Sequence, residues 1–78
     1  MDNKEINNRL NRIEGQIVGI SKMVQVEKKD SLVIIQQIMA IKSALEKVGV
    51  LILIEDLKNG GQDNAKLEKI FDYLIKLT

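Results

Sequence analysis

Ile34-Ile35-Gln36-Gln37-Ile38-Met39-Ala40-Ile41-Lys42-Ser43-Ala44-Leu45-Glu46-Lys47-Val48-Gly49-Val50-Leu51-Ile52-Leu53-Ile54 is the stretch on which the fold turns. Ile34, Ile38, Ile41, Leu45, Val48 and Ile52 recur at alternating steps of four and three residues, the spacing of one helix face. Ile35, Met39, Val50, Leu51, Leu53 and Ile54 lie off that seam, so the apolar surface wraps more than one side. Such a helix has to be covered on more than one side. Asp30 or Ser31 is the expected N-cap, and Asn59-Gly60-Gly61 is the stop, which predicts a helix over 30–58. At 1.5 Å per residue the rod is about 43 Å long. One protomer of 78 residues cannot clothe it, and self-association follows from that alone. The segment Val48 to Ile54 has the composition of a buried strand, but the length of the surrounding pattern places it in the helix.

Working outward, the N-terminal segment places Ile6, Leu10, Ile13, Ile17, Ile20 and Val24 at steps of 4-3-4-3-4, a coiled-coil seam. Asp2 or Asn3 supplies its cap, and Val26 to Lys29 end it, with Lys28 and Lys29 at the negative end of the helix dipole. The predicted span is 4–27. Beyond the double glycine, a helix over 63–77 starts near Asp63 or Asn64 and sets Leu67, Ile70, Phe71, Leu74 and Leu77 on one side. The expected fold is therefore all-α: one domain over 1–78, made of three helices.

Composition narrows the function. There is no cysteine and no histidine, hence no disulfide, no thiolate metal site and neither the commonest transition-metal ligand nor the commonest general base. No Gly-rich phosphate loop precedes a helix, and no enzyme is expected. No cofactor is expected. The single Phe and single Tyr are too few for a stacking platform on single-stranded nucleic acid. The opening residues MDNKEINNR contain no apolar signal segment, and the longest apolar run, Val48 to Ile54, is too short to span a bilayer. Helix one has too few aromatic and basic residues for a membrane-surface role. A cytoplasmic protein is expected. Net charge is +1, with both arginines, Arg9 and Arg12, in the first helix.

Arg9, Arg12 and Gln16 follow i, i+3, i+7 spacing and share a helix face, with Leu10, Ile13 and Ile17 on another. Guanidinium forks suit phosphate oxygens and guanine edges. Two arginines on a helix are equally read as a solvated face paired with Glu5 and Glu14. The octet Arg9-Leu10-Asn11-Arg12-Ile13-Glu14-Gly15-Gln16, followed by Gln37-Ile38-Met39-Ala40 and Ala44-Leu45-Glu46-Lys47-Val48-Gly49, resembles the small helical bacterial repressors of the CsoR type. That family includes sensors of copper, nickel and cobalt, formaldehyde and persulfide. The resemblance covers roughly residues 4 to 60. It implies an antiparallel dimer with a four-helix core that pairs into a flat tetramer. It also implies a double-stranded DNA operator as partner, contacted by Arg9 and Arg12 and by Lys47 at the family's basic position on helix two; Gln16, on the arginine face, joins them as a candidate contact. No helix-turn-helix is evident, so a row of repeated arginine pairs on one side of the assembly replaces a recognition helix.

The resemblance also says where a sensor would sit. The family's first cysteine precedes the QIxA glutamine by six residues, which is Ser31 here; its histidine and second cysteine map to Asp56 and Gly60. The tyrosine that supports the site in copper sensors is Asp30. Persulfide sensors keep both cysteines, and formaldehyde sensors depend on the first. No soft thiolate and imidazole site for Cu(I) can be built from these residues. Ser31, Glu55 and Asp56 offer oxygens for a hard cation, but too few. Capping is the preferred reading of Asp30 and Ser31, and a polar last turn that of Asp56. No metal is expected. The leading expectation is a DNA-binding repressor with lost or altered inducer chemistry. The alternative is a helical oligomerisation module that modulates a cysteine-bearing paralogue without binding DNA itself.

Overall fold

The long apolar stretch forms one uninterrupted helix. In the computed structural model, which describes residues 3–61 and 63–77, three helices follow one another: α1 (Asn3–Val24), α2 (Ser31–Lys58) and α3 (Asn64–Leu77). Among the described residues there is no strand, and Val48–Ile54 lies inside α2. Local chemistry sets the boundaries. Asp30 is the N-cap of α2, its carboxylate accepting from the Val33 amide at 3.3 Å. Asp63 does the same for α3, accepting from the Lys66 amide at 2.8 Å. At the far end of α2, the Gly61 N–H donates to the Asp56 carbonyl at 3.0 Å. Gly60 there has φ +108° and Gly61 +71°, backbone conformations that side chains with a Cβ disfavour.

The three helix starts lie within one residue of the sequence expectation, and one boundary differs by more. α1 ends at Val24 rather than at 27. The next position on its seam is Glu27, so nothing apolar holds another turn. The chain leaves through a tight turn in which the Gln25 N–H donates to the Lys22 carbonyl at 3.2 Å. Of the two residues proposed to cap α1, Asn3 is its first helical residue and Asp2 lies outside the described residues.

α1 and α2 pack antiparallel. Asn3 and Ile6 lie beside Ile52, Glu55 and Asn59 at one end, and Met23 and Val26 lie beside Val33 and Ile34 at the other. Among the described residues α3 packs on α2 and not on α1. It meets α2 where Gly49 removes the side chain: a Cβ there would come within 2.9 Å of Leu74 Cδ2. Of the five residues expected on α3's inner side, Leu67, Ile70 and Leu74 are half-buried, whereas Phe71 and Leu77 stay exposed. One flank of a helix is all that α2 offers it.

The protomer is a thin slab, 51 × 26 × 12 Å. Its accessible surface is 6171 Å², against ~4,800 Å² for a compact protein of its mass. Among the described residues only Ile6, Ile13, Ile34, Ile41, Val48 and Leu53 are buried. The two seams are split in a regular way. Every seventh residue, Ile6 and Ile13 on α1 and Ile34, Ile41 and Val48 on α2, is buried, while the alternate set, Leu10, Ile17 and Val24 with Ile38, Leu45 and Ile52, is exposed. Ile13 is 4% exposed and Ile17, one turn on, 52%. Leu10 and Ile17, which share a face with Ile13 in the sequence pattern, are thus left exposed within the protomer. Half of each heptad seam closes the α1–α2 pair, and the other half faces outward.

Candidate nucleic-acid interface

The buried row on α1 separates two sides of the slab. Measured from Ile13, which faces α2, Leu10 and Ile17 turn one way around the helix and Arg9, Arg12 and Gln16 turn the other. The second side carries an open cleft of about 380 Å³, lined by Arg9, Arg12, Ile13 and Gln16 from α1 and by Ala40, Ser43, Ala44 and Lys47 from α2. The four residues singled out from the sequence are thus brought to one place. The cleft exists because α2 presents small side chains at Ala40, Ser43 and Ala44 opposite the arginine line, leaving a low floor between two cationic rims. An adjoining cleft of about 220 Å³ is walled by Arg9, Lys47, Glu46, Val50 and Leu51, so Arg9 and Lys47 border both.

Arg12 and Lys47 are exposed, whereas Arg9 and Gln16 are half-buried. Arg9 donates from Nη2 to Glu5 Oε1 at 3.5 Å, an ion pair at i, i+4. Its Nε and the Oε1 of Gln16 are shielded from solvent without a hydrogen-bond partner. Of the pairings that a merely solvated face would show, the one with Glu5 forms; among the described residues neither arginine pairs with Glu14. No aromatic ring lines the cleft, since Phe71 and Tyr73 lie on α3. The small-residue floor was not singled out from the sequence, although Ala40, Ser43, Ala44 and Lys47 recur at helical spacing in the string.

The positions that match family sensor ligands are not brought together. Ser31 is the first residue of α2 and Asp56 lies 25 residues further along it, about 38 Å at helical rise. Asp30 serves as the cap described above. Asp56 and Glu55 are half-buried beside a cleft of about 280 Å³ shared with Asn3, Ile6, Ile52 and Asn59. With the Asn3 amide in its satisfied orientation, Asn3 Nδ2 donates to Glu55 Oε1 at 2.9 Å, tying the start of α1 to the end of α2. Gly60 offers no side chain and owes its identity to its positive φ. Among the described residues no three Asp, Glu, His or Cys side chains converge as a metal site would need. No helix among them is long and apolar enough to cross a membrane.

A family model described as "metal-sensitive transcriptional repressor" matches residues 2–77. The chain is 31% identical over 81 residues to the copper-sensing transcriptional repressor CsoR of Bacillus subtilis (strain 168), an alignment that covers 95% of this chain and 79% of that relative. No solved structure gives a significant match.

Proposed function

The chain belongs to the metal-sensitive transcriptional repressor family, a family of transcriptional repressors rather than enzymes, and from that membership we propose that it binds operator DNA through the Arg9–Arg12–Gln16–Lys47 cleft. The carrying observation is the convergence of these four residues on one side of the α1–α2 layer. Arg12 and Lys47 make no ion pair among the described residues. Both are exposed and open to phosphates.

Binding is the act of an assembly. The exposed halves of the two seams form an apolar strip on the side opposite the cleft. The protomer's surface exceeds that of a compact protein by ~1,400 Å², more than the ~800 Å² that each partner commits to a standard interface. Two copies laid antiparallel, strip to strip, close a four-helix bundle and leave both clefts facing outward. Dimers pairing into a tetramer repeat the clefts along one surface, so that a chain of net charge +1 presents a basic row. Such a repressor works in the cytoplasm, where its operator is.

The family's soft-metal chemistry does not fit this chain. Without cysteine or histidine it supplies neither thiolate nor imidazole. An antiparallel pair would bring Ser31 of one copy toward Asp56 of the other, which is one hydroxyl and one carboxylate, with nothing from Gly60. Inducer chemistry is lost or altered. The same open strip would also accept a cysteine-bearing paralogue of like fold, and mixed assemblies are the second reading; co-purification with such a paralogue, without DNA binding by this chain alone, would favour it.

Fluorescence anisotropy with duplex DNA from upstream of its own gene and a scrambled duplex, each at two salt concentrations, tests the first reading. Tighter binding to the upstream duplex, falling steeply with salt, is expected. Binding that is indifferent to salt or sequence removes it.

A further inference from the structure

One ionic side chain paired with a cleft residue has no part in the operator reading. Glu5, Arg9, Arg12 and Gln16 follow one another at steps of four, three and four residues, so a carboxylate heads the line of proposed DNA contacts on the same helix face. Its Oε1 lies 3.5 Å from Arg9 Nη2. We propose that Glu5 is an internal counter-charge that competes with DNA phosphate for Arg9 and holds the repressor's affinity for DNA below what its cations alone would give. This rests on the operator reading above and assigns Glu5 a tuning role within it.

Glu5 and Arg9 are one turn apart on a rigid helix, and their side chains are 48% and 40% exposed. The pair is therefore open enough for a phosphate to approach. Arg9 borders both clefts, so a phosphate settling in either one meets a guanidinium already holding an anion. Either the carboxylate is displaced, or two anions share one guanidinium at close range. Both outcomes oppose binding, and neither applies to Arg12 or Lys47, which have no ion pair among the described residues. An i, i+4 pair at the surface weighs about a factor of two in an equilibrium. The effect multiplies over the subunits that touch DNA.

The test compares the wild-type chain with Glu5→Gln, Arg9→Ala, the Glu5→Gln/Arg9→Ala double variant and Glu14→Gln by anisotropy on the same upstream duplex across a salt series. Glu14→Gln removes an equal charge from α1 off the arginine line. Glu5→Gln is expected to tighten binding about four-fold or more when two or more subunits engage, with a steeper salt dependence. Glu14→Gln should change it by less than about two-fold. In the Arg9→Ala background, Glu5→Gln should add nothing. A purely structural role for Glu5, at the positive end of the α1 dipole, predicts the opposite: lower helicity by circular dichroism and weaker or unchanged binding. The inference is overturned if Glu5→Gln binds no tighter than wild type, if Glu14→Gln tightens equally, or if the gain persists without Arg9. If wild type and every variant fail to bind DNA, the operator reading falls and this one with it; if wild type binds and only the Glu5 effect is missing, the operator reading stands.

Discussion

The two sides of the α1–α2 layer are built from the same two helices and differ by a rotation of less than half a turn. On one side Leu10, Ile17, Val24, Ile38, Leu45 and Ile52 stand exposed; on the other, Arg9, Arg12, Gln16 and Lys47 surround a cleft floored by alanine and serine. The apolar side is half of a heptad whose other half is already satisfied within the protomer, and it is the side proposed above to receive a second helix pair. The polar side has a low floor and cations at the rims, which no helix would fill without burying charge. The contrast teaches that one helix pair can keep an apolar stripe and a cationic stripe apart, which is what the proposed assembly and DNA contacts each require.

The largest effect should come from the apolar side. Leu45→Glu places a carboxylate in the middle of the strip, where closing an antiparallel pair would bury two of them without partners. Burying an unpaired charge costs several kcal/mol. Light scattering should show the mass falling toward the 8.8 kDa protomer, with loss of helicity. An assembly that survives this change would show that the strip is not the contact surface.

Next in size is the polar side. Arg9→Ala/Arg12→Ala should weaken DNA binding by at least ten-fold while leaving mass and helicity unchanged. The slope of log affinity against log salt should fall by about 0.9 for each phosphate contact removed. If the mass changes together with the binding, the two stripes are not separable and the comparison breaks.

A smaller effect should follow from the α2 cap. Asp30→Ala removes the acceptor for the Val33 amide, a loss of about 1 kcal/mol. For a domain of this size that lowers Tm by about 4–8 °C, measured at one fixed protein concentration because assembly also sets Tm. DNA affinity should be unchanged, since the cap lies on neither stripe's working part. A change in DNA affinity without a change in Tm would show that Asp30 serves the ligand side.

Much of this arrangement was legible in the string. Steps of four and three gave the three helices, and Asn59-Gly60-Gly61 marked the end of α2 to the residue. The cluster of Arg9, Arg12 and Gln16 followed from i, i+3, i+7 spacing. The end of α1 was placed too late because dipole-compatible lysines at 28 and 29 say nothing about whether a further turn has anything to pack on. The division of each seam was not legible either. Periodicity shows which residues share a stripe, but not whether an intramolecular helix or a second copy covers each half. Likewise, the cleft depends on which residues of α2 lie opposite Arg9, a matter of register between two helices that neither sequence pattern contains. Glu5 was visible only as one of two acids that could pair with arginine, and a geometry was needed to choose it over Glu14.

The smallest expected effect is nil, and it separates this chain from the chemistry its family is described by. Copper(I), nickel(II) or a persulfide donor, added in excess to the protein–DNA complex, should leave the anisotropy unchanged. Ser31, Asp56 and Gly60 occupy the matching positions with one hydroxyl, one carboxylate and no side chain, and neither oxygen is a soft donor. The structure gives each position other work. Ser31 opens a helix capped by its neighbour, the Asp56 carbonyl receives the closing bonds of α2, and Gly60 takes the left-handed turn. Release of DNA by copper(I) at stoichiometric concentration would show that a soft ion finds donors elsewhere. The three methionines are then the first to change, because their thioethers are the only sulfur atoms in the chain.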